Sequence, residues 1–146
     1  MKKILALLSV IVLFTIGCNQ EKSNPIEGAW DLVYFIAIDN DTITGQFPGT
    51  WEGKDMKTWS KEHFIFIGHY MMDTTEYDSY GGGTYTLDGN IYKETVDFHY
   101  NKNAIGETYQ MYIKVSNDTL YQIWPVDDTG EADKANYKEQ RYIRLK

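Results

Sequence analysis

The sequence predicts an all-β, antiparallel, single-domain fold, a sandwich or barrel of about eight short strands. Three observations carry that prediction. Runs rich in Val, Ile, Tyr, Phe and Trp recur along the chain, several with strict apolar–polar alternation. Asn, Asp and Gly pairs separate them at hairpin spacing, Asp88-Gly89 most clearly. No segment keeps a helical period beyond a turn or two.

The chain has 146 residues, enough for one core. Its start reads differently. Lys2 and Lys3 precede an apolar run over 4–14 broken only by Ser9, and Gly17 precedes Cys18. That pattern is a secretory signal segment over 1–17, too short to cross a bilayer. Cys18 is the single cysteine, so no intrachain disulfide forms. Loss of Lys2 and Lys3 with the segment moves the formal charge from −7 to −9. Such an acidic domain repels phosphate backbones and anionic lipid, which argues against nucleic acid as a partner. Residues 18–26 form a polar tether, and the domain occupies 27–146.

The first strand, over 28–37, sets Trp30, Leu32, Tyr34 and Ile36 on one face and Asp31, Val33 and Phe35 on the other. Residues 43–53 hold three glycines and Pro48 and read as a long loop, either throughout or after a short strand at its start. A weak strand over 54–60 and a strong one over 63–72 follow, the latter with Gly68 as a bulge or bend. Residues 73–80 are polar and turn-rich. Asp88-Gly89 as the central pair of a type I′ turn then matches Leu87 with Asn90, Tyr85 with Tyr92 and Gly83 with Glu94. One face of this hairpin carries Tyr85, Leu87, Tyr92, Val96 and Phe98, interrupted by Glu94; the other carries Thr84, Thr86, Lys93, Thr95 and Asp97. A strand over 108–116 turns at Asn117-Asp118, which pairs Val115 with Leu120, Ile113 with Gln122 and Met111 with Trp124. Pro125 ends that ladder. After an acidic loop over 127–134, a last strand over 138–146 alternates Arg141 with Tyr142 and Arg144.

Residues 15–18, Thr-Ile-Gly-Cys, resemble the bacterial lipobox, which implies lipidation of Cys18 and membrane attachment through it. Asn19 is not the Asp that commonly retains such proteins at the inner membrane, so the resemblance implies the outer membrane. Gly28-Ala29-Trp30 resembles the Gly-x-Trp signature of the lipocalin and calycin superfamily. The stretch 83–94 and Asn117-Asp118-Thr119-Leu120 resemble hairpins of small bacterial lipocalin-like lipoproteins. The resemblance covers about 27–146 and implies an eight-stranded, antiparallel, up-and-down barrel. It also implies that Trp30 packs at the closed end under a late arginine, Arg144, or Arg141 if the last strand has the other parity.

Glu94 is the sharpest candidate site residue, because a buried carboxylate must be paired or protonated. An inward Arg141 would pair with it. Glu94, Gln122, Tyr85, Tyr92, Arg141 and Trp124 would then anchor an amphipathic ligand; a structural ion pair is the plainer alternative. Trp51 and Trp59 fit a barrel mouth or a sugar-stacking surface, and equally the packing of a loop over an open barrel end. His63, His69 and His99 lack metal-ligand spacing, and the acidic loop lacks that of a calcium site. Gly81-Gly82-Gly83 has no following phosphate-loop lysine, and there is no Gly-x-Ser-x-Gly. No cofactor is implied. The expectation is a lipid-anchored, non-enzymatic protein holding a small hydrophobic or amphipathic molecule. The alternatives are an accessory lipoprotein that meets a protein or glycan through its loops, and an acid–base enzyme using Glu94.

Overall fold

The computed structural model describes residues 24–146; the signal segment, Cys18 and the tether up to residue 23 lie outside the described residues. Nine strand segments follow one another: β1 (Gly28–Asp39), β2 (Thr42–Phe47), β3 (Glu52–Trp59), β4 (His63–Met72), β5 (Thr75–Asp88), β6 (Ile91–His99), β7 (Thr108–Ser116), β8 (Thr119–Trp124) and β9 (Tyr137–Arg144), with one 3₁₀ turn at Lys102–Ala104. All neighbours are antiparallel, and β1 pairs with β9 to close the sheet. β2 and β3 lie along the same edge of β1, β2 beside Phe35–Asp39 and β3 beside Gly28–Asp31. They act as one interrupted strand along β1, so the barrel has eight positions. Much of 43–53, which reads as a loop, is therefore wall. So is most of 73–80, which begins the 14-residue β5.

Two bulges decide what faces inward. In β1 the register against β9 shifts between Leu32 and Tyr34. The extra residue, Val33, flips the alternation, so Trp30 and Leu32 are followed inside by Phe35 and Ala37. Tyr34 turns outward. In β6, Val96 pairs with Gly83 but Phe98 pairs with Gly82, leaving Asp97 as the extra residue. Phe98 consequently lies outside, 46% exposed, and His99 turns toward the interior.

The central hairpin turns one residue later than Asp88-Gly89. Asp88 pairs with Ile91, so Gly89 and Asn90 form the loop. Gly89 takes φ 59° at the first central position, where a positive φ suits glycine better than Asp. Asn90 is held on β7, its Nδ2 donating to the Ile113 carbonyl at 2.6 Å while its own carbonyl accepts from Ile113 N at 2.8 Å. Tyr85 now faces Glu94, and Gly83 faces Val96. The slip along the partner is two residues, an even number, so Tyr85, Tyr92 and Glu94 keep the inward face. At the β7–β8 hairpin, Val115 meets Leu120 and Ile113 meets Gln122, as alternation around Asn117-Asp118 predicts.

One end of the barrel is solidly packed by Ile26, Trp30, Trp59, Phe64, Tyr92, Ile113, Leu120 and Tyr142, each at most 2% exposed. The Arg144 guanidinium lies 4.0 Å above the Trp30 ring. It donates to the Glu27 carbonyl at 2.6 Å and to the Pro25 carbonyl at 2.7 Å. Gly28, at φ 119°, leaves the room: a Cβ there would lie 2.9 Å from Arg144 Nη1.

Candidate functional site

Three alternate residues of β3 point inward as a carboxylate, an ammonium and an indole: Asp55, Lys57 and Trp59. Lys57 is the partner of Glu94, with Nζ 2.7 Å from Oε2 and both side chains buried. The Tyr92 hydroxyl donates to the same oxygen at 2.9 Å and accepts from Trp59 Nε1 at 3.0 Å. Lys57 Nζ also lies 4.8 Å from the Phe64 ring centroid and 5.0 Å from that of Trp59. A buried ammonium thus receives one carboxylate and three rings, those of Phe64, Trp59 and, at 5.6 Å, Tyr92, in place of water. Burial, then the Glu94 charge, pushes the Tyr92 hydroxyl well above its ordinary pKa and keeps it a donor.

Above this layer the barrel opens into a cavity of about 510 Å³. Lys57, Glu94 and Tyr142 contribute to its base, and aromatic rings form much of its wall. Trp51 stacks on Phe35 at 5.0 Å and meets Tyr70 edge-on at 5.9 Å; Trp124 tilts against Phe35 at 6.5 Å. Two polar groups stand out on this wall. Asp55 is 5% exposed, and burial raises its carboxyl to about 7, against the opposing pull of the Tyr70 hydroxyl and the Lys57 charge. Gly68, opposite Asp55 on β4, makes its space, since a Cβ there would lie 2.5 Å from Asp55 Oδ2. Gln122 is 1% exposed; its Nε2 lies 2.8 Å from Met111 Sδ, and its Oε1 has no hydrogen-bond partner among the described residues. A pocket with apolar walls and a few converging polar groups can orient a small molecule.

Of the residues singled out from sequence, Glu94, Gln122 and Trp124 line this cavity. Tyr85 and Tyr92 do not; they form the layer beneath it, Tyr85 donating to the Ser60 carbonyl at 2.6 Å and accepting from Asn24 Nδ2 at 3.0 Å. Arg141 is a correction. Tyr142 pairs with Leu32 and Leu120 and points inward, so Arg141 points out. There it pairs with Glu139 at 2.7 Å and covers the Tyr34 ring at 4.4 Å, and it neither meets Glu94 nor lines the cavity. Trp59 is not at the mouth but in the packed end, 2% exposed. Sequence reasoning missed Lys57 and Asp55. The available signal was the alternation of Asp55, Lys57 and Trp59 in the segment that reads as a weak strand over 54–60. Among the described residues no three His, Cys, Asp or Glu side chains converge as metal ligands.

Comparison with known proteins places nothing beside this chain: no family model matches it, and no curated protein or solved structure is significantly similar. The fold defines the class on its own, a closed eight-stranded antiparallel β-barrel compatible with a lipocalin-like fold.

Proposed function

We propose that the protein is a lipid-anchored, non-enzymatic binding protein of the bacterial lipocalin-like kind, holding one small amphipathic molecule in the open half of its barrel. The observation that carries this reading is the 510 Å³ cavity, walled by aromatic rings and polar at its base. Its volume falls within the range of small-molecule sites. Glu94 is engaged by Lys57 and Tyr92 on one oxygen, which favours a positioning role over acid–base work. The same space favours a ligand over a filled barrel that acts only through its loops. Attachment through a lipid on Cys18, at the outer membrane, belongs to this proposal.

Native mass spectrometry of the domain, isolated from cells and again after incubation with a small-molecule extract, tests the binding. A stoichiometric adduct that leaves on denaturation is the expected result. A bare protein mass under both conditions overturns the reading.

A further inference from the structure

The barrel interior buries two carboxylates, Asp55 and Glu94, and one ammonium, Lys57. Lys57 Nζ is committed to Glu94 at 2.7 Å. Among the described residues no lysine or arginine forms an ion pair with Asp55. The Tyr70 hydroxyl and the more distant Lys57 charge offset only part of its desolvation, and its elevated pKa reflects the remaining cost. Around the same cavity stand the rings of Phe35, Trp51, Tyr70 and Trp124, whose faces attract cations. Gln122 Oε1 adds a buried acceptor with no donor among the described residues.

We infer that the ligand is an organic cation, an ammonium carrying an aromatic or alkyl body, with Asp55 as its counter-ion, the ring wall around its body and Gln122 Oε1 accepting from a second donor. This rests on the pocket reading above and names the chemical class it takes. A fatty carboxylate would instead set a third negative charge beside Asp55 and Glu94.

Asp55 must be ionised to serve. The titratable and charged groups around it are Lys57 and Lys54 on its own strand, Asp31 on β1, Tyr70 and His69 on β4, Asp78 and Tyr80 on β5 and Tyr142 on β9. Glu94 lies behind Lys57, and His99 and exposed Lys138 also line the cavity. Cation affinity therefore rises as pH climbs through the Asp55 titration.

Calorimetry with three matched probes, tryptamine, tryptophol and indoleacetate, tests the inference on the intact domain. Tryptamine is expected to bind roughly tenfold or more tighter than tryptophol at about pH 8, with indoleacetate weakest. The preference shrinks at about pH 5, and Asp55→Asn removes it. The probe comparison on the native domain decides the matter even if the variant folds poorly. Tryptophol or indoleacetate binding as tightly as tryptamine overturns the cation and leaves the pocket reading standing. Binding of none of the three also overturns it, and loss of the extract adduct in mass spectrometry would then remove the pocket reading separately.

Discussion

Lys57 Nζ and Glu94 Oε2 meet at 2.7 Å inside the barrel, joining β3 to β6 across the lumen. These strands are not neighbours in the sheet, so the pair fixes a distance that no ladder hydrogen bond sets. Replacing a buried pair by apolar residues is often neutral, whereas removing one partner is not. Lys57→Met strands the carboxylate and is expected to cost about 3–5 kcal/mol by urea denaturation. Adding Glu94→Gln to Lys57→Met recovers most of that loss, because the amide oxygen still accepts from Tyr92. A double variant no more stable than Lys57→Met alone would mean that the pair does more than neutralise itself.

Strand count and the inward side of Tyr85, Tyr92 and Glu94 follow from alternation and turn residues, because those signals are local; closure rests on the lipocalin-like resemblance, since alternation alone allows a sandwich as well as a barrel. The site follows only in part, for two physical reasons. A bulge has no composition of its own: Val33 and Asp97 look like ordinary strand residues, yet each reverses the faces beyond it and moves Phe35 in and Phe98 out. The partner of a buried charge is also a matter of three dimensions. Glu94 announces the need for a cation, but nothing near it in the chain says that Lys57 rather than Arg141 supplies it. An arginine over Trp30 is what the resemblance implies, with Arg144 and Arg141 both open; the inward Tyr142 opposite Leu32 sets the parity that selects Arg144.

Asp55 makes stability depend on pH in a direction opposite to most carboxylates. Its carboxyl is raised from 3.8 to about 7 in the folded state by burial. The folded protein therefore keeps a proton that the unfolded chain releases. The stability this contributes is complete below the unfolded value and is lost as pH rises through about 7. Asp55→Asn lacks the ionisation altogether. It is expected to match the native protein in acid and to exceed it above neutral pH, by a margin of at most on the order of 4 kcal/mol. Denaturant midpoints of the two proteins at about pH 5 and about pH 8 check this, and a difference independent of pH would contradict it.

Gly83 and Gly89 are both required, for different reasons, and the two are separable. A Cβ at Gly83 would fall 2.0 Å from the Thr95 carbonyl oxygen, so Gly83→Ala must push β6 away at the bulge. A loss of about 3 kcal/mol is expected. At Gly89 nothing lies within 4 Å, and only the φ of 59° opposes a side chain. Gly89→Ala should cost about 1–2 kcal/mol, and Gly89→Asn less, since Asn tolerates that conformation. Equal losses for Gly83→Ala and Gly89→Ala in thermal or urea denaturation would refute the distinction.

Arg144 closes the packed end by holding a chain segment as well as a ring. Its guanidinium spans the Trp30 face while its two terminal nitrogens reach the carbonyls of Glu27 and Pro25. Trp30 Nε1 donates in turn to the Ile26 carbonyl at 2.8 Å, so residues 25–27 are tied to the barrel from both sides. A lysine keeps the charge but lacks the fork that serves two carbonyls at once. Arg144→Ala is expected to cost about 2 kcal/mol or more, from the lost cation–π contact and charged hydrogen bonds. Arg144→Lys should recover less than half of it. The local signature is faster hydrogen exchange at the Glu27 amide, which donates to the Asn24 carbonyl at 3.0 Å. The open half should respond little, because Arg144 does not line the cavity. If Arg144→Lys matched the native protein in both stability and Glu27 exchange, charge above the indole would suffice and the two carbonyl contacts would be incidental.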